Sequence, residues 1–265
     1  MKKERLDEAL VRLQYADTPE LARAIIMEGR VFQNGNRLDK PAILLASDVG
    51  LTVKGDKLPY VSRGGLKLEK AIAAFGLTFE GKTCMDVGSS TGGFTDCMLQ
   101  KGAQKVYAVD VGYGLLDWKL RNDPRVVVME RTNARLLNPE MTGGERMDFA
   151  SMDVSFISIR TVLPAVRTCM KENAHLAVLV KPQFEARREQ VGKGGIVRDP
   201  EVHREVLETV IAAMPAIGLV PQGLTVSPIK GVGGNTEFLL HLTNTELNDA
   251  AFQAERAIED VLRFV

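Results

Sequence analysis

Asp86, Asp110, Asp153 and Lys181 are the residues whose placement points most directly to chemistry, because each ends or just follows an apolar run of strand character. Asp86 also opens a glycine-rich turn, Met85-Asp86-Val87-Gly88-Ser89-Ser90-Thr91-Gly92-Gly93-Phe94-Thr95-Asp96. A strand that ends in such a turn and opens a helix is a place where a ligand meets bare backbone. Turns that hold phosphates favour backbone amides and a lysine, and this one has an acid and no lysine. It therefore suits a ligand with a positive or hydroxyl-bearing group. Asp110 closes the next strand-like run, where an acid commonly takes the ribose hydroxyls of an adenosine ligand. Two such ligands compete. NAD calls for G-x-G-x-x-G, whereas the glycines here are Gly88, Gly92 and Gly93. S-adenosylmethionine (SAM) is frequently met by D-x-G-x-x-x-G, the spacing from Asp86 to Gly92. A turn with no ligand would leave three glycines and two strand-end acids to be explained by structure alone.

Ala174 to Val180 is an apolar run that delivers Lys181, and Pro182 ends regular structure there. A lysine beside an apolar strand is desolvated and loses part of its proton affinity, which would make it a base near neutral pH. Asp153 follows the run Asp148 to Met152 and would orient an amine or hold a substrate hydroxyl. Lys67, behind Ser62-Arg63-Gly64-Gly65, and Glu237, in Gly233-Gly234-Asn235-Thr236-Glu237, complete the order Lys-Asp-Lys-Glu. Taken singly, Lys67 and Glu237 read as surface ion pairs. Gathered around one glycine-rich turn, the four read as a catalytic group.

The elements that must gather them alternate along the chain. Strands are expected at 83–87, 105–109, 126–130, 147–152, 175–180, 219–226 and 236–242, with helices at Leu66 to Phe75 and near 92–101, 114–121, 158–171, 201–214 and 246–263. This predicts an α/β fold, a mostly parallel sheet with helices on both faces and its ligands beyond the carboxyl ends of the strands. Residues 1–54 differ. Arg5 to Gln14 is an amphipathic helix, Asp17-Thr18-Pro19-Glu20 starts a second that stops at Gly29, Asn34-Gly35 signals a hairpin after Val31-Phe32, and Pro41 to Val53 finishes in an apolar strand. A small α+β module over 1–54, a linker over 55–61 and a larger domain over 62–265 follow.

Composition sets bounds. The 265 residues carry 34 basic and 34 acidic side chains, so nucleic-acid binding must come from a local basic face and not from net charge. Residues 1–60 hold ten Lys/Arg and nine Asp/Glu, so charge alone does not locate that face. Three scattered cysteines in apolar segments make neither a disulfide framework nor a metal site and favour a reducing, cytoplasmic setting. The three histidines stand far apart and read as structural. No signal peptide or spanning segment is visible.

Residues 4–54 resemble the S4 RNA-binding domain, through Arg5-Leu6-Asp7, Leu21-Ala22-Arg23-Ala24-Ile25-Ile26, Gly29-Arg30-Val31, Asn34-Gly35, and Lys40-Pro41 before Asp48. Thr18-Pro19-Glu20 departs from the Ser-Arg common at that helix start. The whole chain is similar to the TlyA family, an S4 domain joined to an FtsJ-like, Rossmann-like ribose 2′-O-methyltransferase domain, often labelled hemolysin. The motifs are Ser62-Arg63-Gly64-Gly65 with Lys67, the turn from Asp86 to Phe94, Asp153-Val154-Ser155-Phe156, Lys181-Pro182-Gln183-Phe184-Glu185, and Gly192-Lys193-Gly194-Gly195 with Arg198-Asp199.

This resemblance implies a SAM-dependent ribosomal RNA methyltransferase acting on ribosomal subunits. Lys181 would take or steer the proton of a ribose 2′-hydroxyl, Asp153 would orient Lys181 and the hydroxyl, and Lys67 and Glu237 would complete the network. Asp86, Gly88, Ser89, Ser90, Gly92, Gly93 and Phe94 would surround the methionine end of SAM, Asp110 its ribose, and Asn133 and Ala134 its adenine. Arg5, Arg23, Arg30, Lys40 and Arg63 are the candidate RNA contacts, with a mobile basic loop from Gln183 to Arg198. The rival readings are an RNA-binding protein with an inactive methyltransferase fold, a membrane-active hemolysin and an NAD-linked oxidoreductase. The absence of a long apolar span disfavours the hemolysin, and the turn spacing disfavours the oxidoreductase.

Overall fold

A computed structural model describes the chain except for residues 1–2, 14, 17, 28, 47–49, 55–58 and 247–251. The expected linker residues 55–58, the helix-start Asp17 and the motif residue Asp48 thus lie outside the described residues. The chain separates into two compact units, Met1–Ser62 and Arg63–Val265.

The first unit runs β1 (Lys3–Arg5), α1 (Leu6–Arg12), α2 (Pro19–Met27), β2 (Val31–Gln33), β3 (Asn36–Leu38), β4 (Leu44–Ala46) and β5 (Thr52–Val53). Pro19 presets the first turn of α2, and the Thr18 hydroxyl accepts the Leu21 amide at 3.2 Å. β2 and β3 form the expected hairpin, with Asn34 and Gly35 both at positive φ (50° and 82°) as a tight primed turn requires. Arg5 is extended, not helical, because it pairs with Leu44 in an unforeseen β1–β4 ladder. The run expected to finish in one strand is divided into β4, which joins β1, and β5, which joins β2. Leu6, Leu10, Ile25, Ile26 and Val31 close a small core.

The second unit continues with α3 (Gly64–Phe75), β6 (Thr83–Val87), α4 (Gly93–Gln100), β7 (Lys105–Val109), α5 (Trp118–Arg121), β8 (Val126–Met129), β9 (Met147–Met152), α6 (Ile159–Thr168), β10 (Met170–Val180), α7 (Pro182–Glu185), α8 (Pro200–Ile217), β11 (Val220–Val226), β12 (Phe238–Asn244) and α9 (Ala254–Leu262). The sheet order is β11-β12-β10-β9-β6-β7-β8. β10 through β8 are parallel, and β12 runs antiparallel between β10 and β11. The chain leaves β6 toward β8 and then crosses back to β9 on the other side of β6. The loops after β6 and β9 therefore diverge, which opens a crevice at that switch point.

Period-two alternation decides which side chains share it. Met85, Met152, Val178 and Val180 enter a core with α6, α8 and α9. Their neighbours in sequence face the other way, toward α3 and α4, and on that face Phe149 meets Phe79 edge-on at 4.8 Å.

Several boundaries move. β10 starts at Met170, five residues before the expected start, with Asn173 at φ 59° and a register shift accommodating the extra residues. α5 is one turn, since Gly114 takes φ 68° and Asp117 caps the helix by accepting the Lys119 amide at 2.9 Å. α9 begins at Ala254; Glu246 is not helical and residues 247–251 lie outside the described ones. Among the described residues no helix is long and apolar enough to cross a membrane. Phe149 is 1% exposed on a central strand. Phe149→Ala is expected to cost about 3–5 kcal/mol, read as a lower urea midpoint at unchanged slope.

Candidate active site

Four side chains meet on the α3 face, at the carboxyl end of the sheet. In the β10–β12 ladder Val180 lies opposite Phe238. The next step of that register sets Lys181 beside Glu237, one residue past the end of β10 and one before the start of β12. Asp153 follows β9 on the same side, with its amide bonded to the Val87 carbonyl at 2.9 Å. Lys67 arrives from the first turns of α3. Its ammonium donates to Glu237 Oε2 at 2.8 Å and to Asp153 Oδ2 at 3.1 Å. Lys181 Nζ lies 2.5 Å from Asp153 Oδ1 and donates to Ser155 Oγ at 2.9 Å.

All but Asp153 are buried, and the Asp153 side chain is 20% exposed, so the group opens to solvent beside that carboxylate. Two cations offset two anions, the condition under which buried charge is tolerated. Burial alone would weaken proton binding by Lys67, but Asp153 and Glu237 outweigh it and hold Lys67 above its ordinary value. Burial would likewise raise the Asp153 carboxyl, yet Lys67 and Lys181 hold it below the usual carboxylate range.

The glycine turn lies against this group. Gly88 has φ 82°, and a Cβ there would lie 2.5 Å from the Asp153 carbonyl oxygen, so the loops after β6 and β9 approach as closely as backbone permits. Gly92 has φ 94°, and a Cβ there would strike Leu120 and Leu116. Ser90 is exposed at φ 48°, its amide donating to Asp110 Oδ2 at 2.8 Å, while Asp110 Oδ1 accepts the Gly112 amide at 2.7 Å. Each Asp110 oxygen keeps a lone pair for a further donor.

Other expected cofactor contacts lie deeper than their sequence positions suggest. Asp86 is 1% exposed. Its Oδ2 accepts the Thr95 amide and hydroxyl at 2.9 and 2.7 Å, and its Oδ1 accepts the Ser151 hydroxyl at 3.1 Å. Asp86 thus fastens the turn to α4 and β9 from beneath. Phe94, Gly93 and Ser89 are also buried. Asn133 spends its carbonyl capping the turn at Ala134–Leu136, where it accepts the Arg135 amide at 3.1 Å, and Ala134 packs on the core. Glu185, in the motif after Lys181, caps α6 by accepting Ser158 Oγ and the Ile159 amide, each at 2.7 Å.

Arg5 and Arg23 converge on Asp7. Arg5 grips it with two bonds of 2.9 and 2.8 Å, and Arg23 adds one of 3.1 Å. The Arg5 bonds first, with Arg23 assisting, pull the Asp7 carboxyl down to about 2. Both guanidinium groups are thereby held on a buried anchor while remaining about half exposed. Arg30 donates to the Lys54 carbonyl at 2.8 Å, and Lys40 is exposed. Arg63, exposed, precedes α3 in the second unit.

Two residues escaped the sequence reading as individuals. Ser155 holds Lys181, and Phe156 is 90% exposed at φ 63° with its ring 5.1 Å from Phe184. An exposed phenylalanine in left-handed backbone is uncommon, but neither property is visible in the string Asp-Val-Ser-Phe.

The fold and the site define a methyltransferase of the FtsJ-like class behind an S4 domain. The FtsJ-like methyltransferase family matches residues 60–244 and the S4 domain family residues 4–48. A Bacillus subtilis (strain 168) protein described as "Putative rRNA methyltransferase YqxC" is 56% identical over 91% of this chain and 86% of its own. The "16S/23S rRNA (cytidine-2′-O)-methyltransferase TlyA" of Mycobacterium tuberculosis is 44% identical over 98% of this chain and 96% of its own. A solved structure described as "Putative hemolysin from Streptococcus thermophilus" superposes with a TM-score of 0.77 at 46% identity, covering 99% of this chain and 97% of that one. The chain belongs to the TlyA family, and its cofactor is SAM. The site suits that cofactor: Gly88 and Gly92 stand where no side chain fits, and Asp110 retains acceptor capacity for hydroxyl donors.

Asp86 generates a pH test. Burial pushes its carboxyl from an ordinary 3.8 up to about 6, against the opposing hydrogen bonds of Thr95 and Ser151. A raised carboxyl binds its proton more tightly when folded, so its contribution to stability is complete below about pH 4 and is lost as pH rises through about 6. Asp86→Asn, which stays neutral, is expected to gain on the wild type by on the order of 2–3 kcal/mol between pH 4 and 7. Paired urea titrations across that range measure the change.

Proposed function

We propose that this protein methylates ribose 2′-hydroxyls of ribosomal RNA, with Lys67, Asp153, Lys181 and Glu237 as the catalytic group. The observation that carries the reading is the unbroken contact chain Glu237–Lys67–Asp153–Lys181 beside the Gly88 turn. The relatives' cytidine-2′-O designation makes cytidine the first nucleotide to seek.

A ribose hydroxyl is a weak nucleophile, and its reaction needs alignment and removal of one proton. The sulfonium of SAM supplies a methyl group already activated for transfer. Asp153, the most exposed of the four, is the group a substrate hydroxyl reaches first. Lys181, held by Asp153 and Ser155, steers the hydroxyl and the proton it gives up as the oxygen–methyl bond forms. Lys67 keeps Asp153 ionised, and Glu237 holds Lys67 in place. Asp86, Gly88, Ser89, Ser90, Gly92, Gly93 and Phe94 form and support the methionine end of the cofactor site, Asp110 takes its ribose, and Asn133 and Ala134 flank its adenine. Arg5, Arg23, Arg30 and Lys40 of the S4 domain, with Arg63, contact the RNA backbone. The outward Phe156 ring offers a face on which a nucleobase stacks.

The test is methyl transfer from labelled SAM to purified ribosomal subunits that lack the modification. Lys181→Ala should lose at least about 100-fold in rate while binding SAM normally by calorimetry, because it removes the group that steers the hydroxyl and its proton and leaves the glycine turn intact. Full activity in that variant would remove Lys181 from the reaction. Phe156→Ala should raise the KM for subunits roughly tenfold, the loss of one to three kcal/mol of stacking, and Phe156→Tyr should restore it.

A further inference from the structure

We propose that Asn235 is a positioning residue that ties the basic turn at 192–198 to the segment carrying Glu237, so that RNA held by the turn and the Lys67–Glu237 pair are set together. The proposal rests on the methyl-transfer reading above.

Asn235 is 3% exposed. Its Nδ2 donates to the Gly195 carbonyl at 2.9 Å and its Oδ1 accepts the Val197 amide at 3.0 Å. The orientation of the amide is unambiguous, since turning it over would set donor against donor and acceptor against acceptor. One side chain thus grips at two points a turn about 40 residues away in sequence. The turn is internally closed by Gly192 N to Ile196 O (3.0 Å) and Gly195 N to Gly192 O (3.1 Å), with Gly194 and Gly195 at φ 78° and 73°. His203 Nε2 lies 3.2 Å from the carbonyl oxygen of the buried Val197. Lys193 and Arg198 stand exposed at its two ends. It therefore presents two cations outward on a base fixed from within. The segment from Gln183 to Arg198 also contains α7 and a 3₁₀ turn at Arg188–Gln190, so it has more regular structure than the mobile loop its composition suggests.

The other side of Asn235 leads to the buried pair. Its carbonyl accepts the Gly231 amide at 2.8 Å, which closes the Gly231–Asn235 turn. A Cβ on Gly231 would lie 2.1 Å from Glu237 Oε1, so this turn is wrapped onto the carboxylate that holds Lys67 at 2.8 Å. Glu237 is itself 3% exposed and has little room to compensate. A displacement of the 192–198 turn thus reaches Glu237 through Asn235, and phosphate held by Lys193 and Arg198 acts on the turn from outside.

The experiment compares wild type, Asn235→Ala, Asn235→Asp, Lys193→Ala and the double variant, using labelled SAM and ribosomal subunits lacking the modification. Asn235→Ala should lower kcat roughly tenfold or more and raise the KM for subunits, since small misplacements of reacting groups carry such costs. Its SAM affinity by calorimetry should stay within about twofold of wild type, as the latch lies outside the cofactor turn. Asn235→Asp keeps the acceptor for Val197 and loses the donor to Gly195, and should recover part of kcat. Lys193→Ala should raise KM alone, and in the double variant its effect on KM should largely vanish, because the turn no longer reports to Glu237. An Asn235→Ala protein that melts lower but keeps kcat and KM within about twofold, or a double variant whose KM effects multiply, overturns the proposal. If wild type transfers no methyl to subunits, the functional reading fails first. The latch is then judged by trypsin cleavage after Lys193 and Arg198: faster cutting in Asn235→Ala supports it, and equal cutting sinks it.

Discussion

The Asp153 carboxylate lies between two ammonium groups, and much of the second unit is arranged to permit this. Lys67 and Lys181 come from a helix and a strand end, 86 and 28 positions along the chain from Asp153, and neither could be buried without an anion. Glu237 supplies the second negative charge, so the group is neutral as a set and intolerant of losing any one member. The sheet must therefore deliver three strand ends to one point, and α3 must run across them on the same face. On that face Leu179 and Leu239, paired and fully buried, lie next along from Lys181 and Glu237, which dehydrates the group and strengthens its mutual attraction.

The glycine turn answers to the same constraint. Gly88 is where the loop after β6 presses on the Asp153 carbonyl, so the glycine turn and the backbone that carries Asp153 share one contact. Asp86 supports that contact from below through Thr95 and Ser151, and Ser151 lies two residues before Asp153 on the same face of β9. A buried acid with a raised proton affinity is an expensive fastener. The hydrogen bonds it accepts from Thr95 and Ser151 offset part of the cost of burying a carboxylate.

The two units solve different problems with charge. In the second, charges are buried and balanced around Asp153. In the first, Asp7, the one buried acid among the described residues, meets two arginines that stay half exposed, so the anchor is inside and the positive charge is outside. The first arrangement suits proton handling, and the second suits a surface that meets a polyanion.

The sequence by itself determined the alternation of strands and helices, the glycine turn, and the acids and lysine at the strand ends, because these depend on local period and on residues a few positions apart. That Glu237, at the start of its strand, meets Asp153 and Lys181 at the ends of theirs was decided by the tertiary structure, which runs β12 antiparallel to β10. Only the tertiary structure decided that Asp86 is a fastener beneath the turn, that Arg5 begins as a strand, and that Asn235 grips a turn far along the chain. Each of these turns on a partner outside the local window: Ser151 for Asp86, Leu44 for Arg5, and Gly195 and Val197 for Asn235. The physical reason is the same in all three: a polar group's role is set by whatever satisfies its hydrogen bonds after burial, and the chain's path chooses that partner.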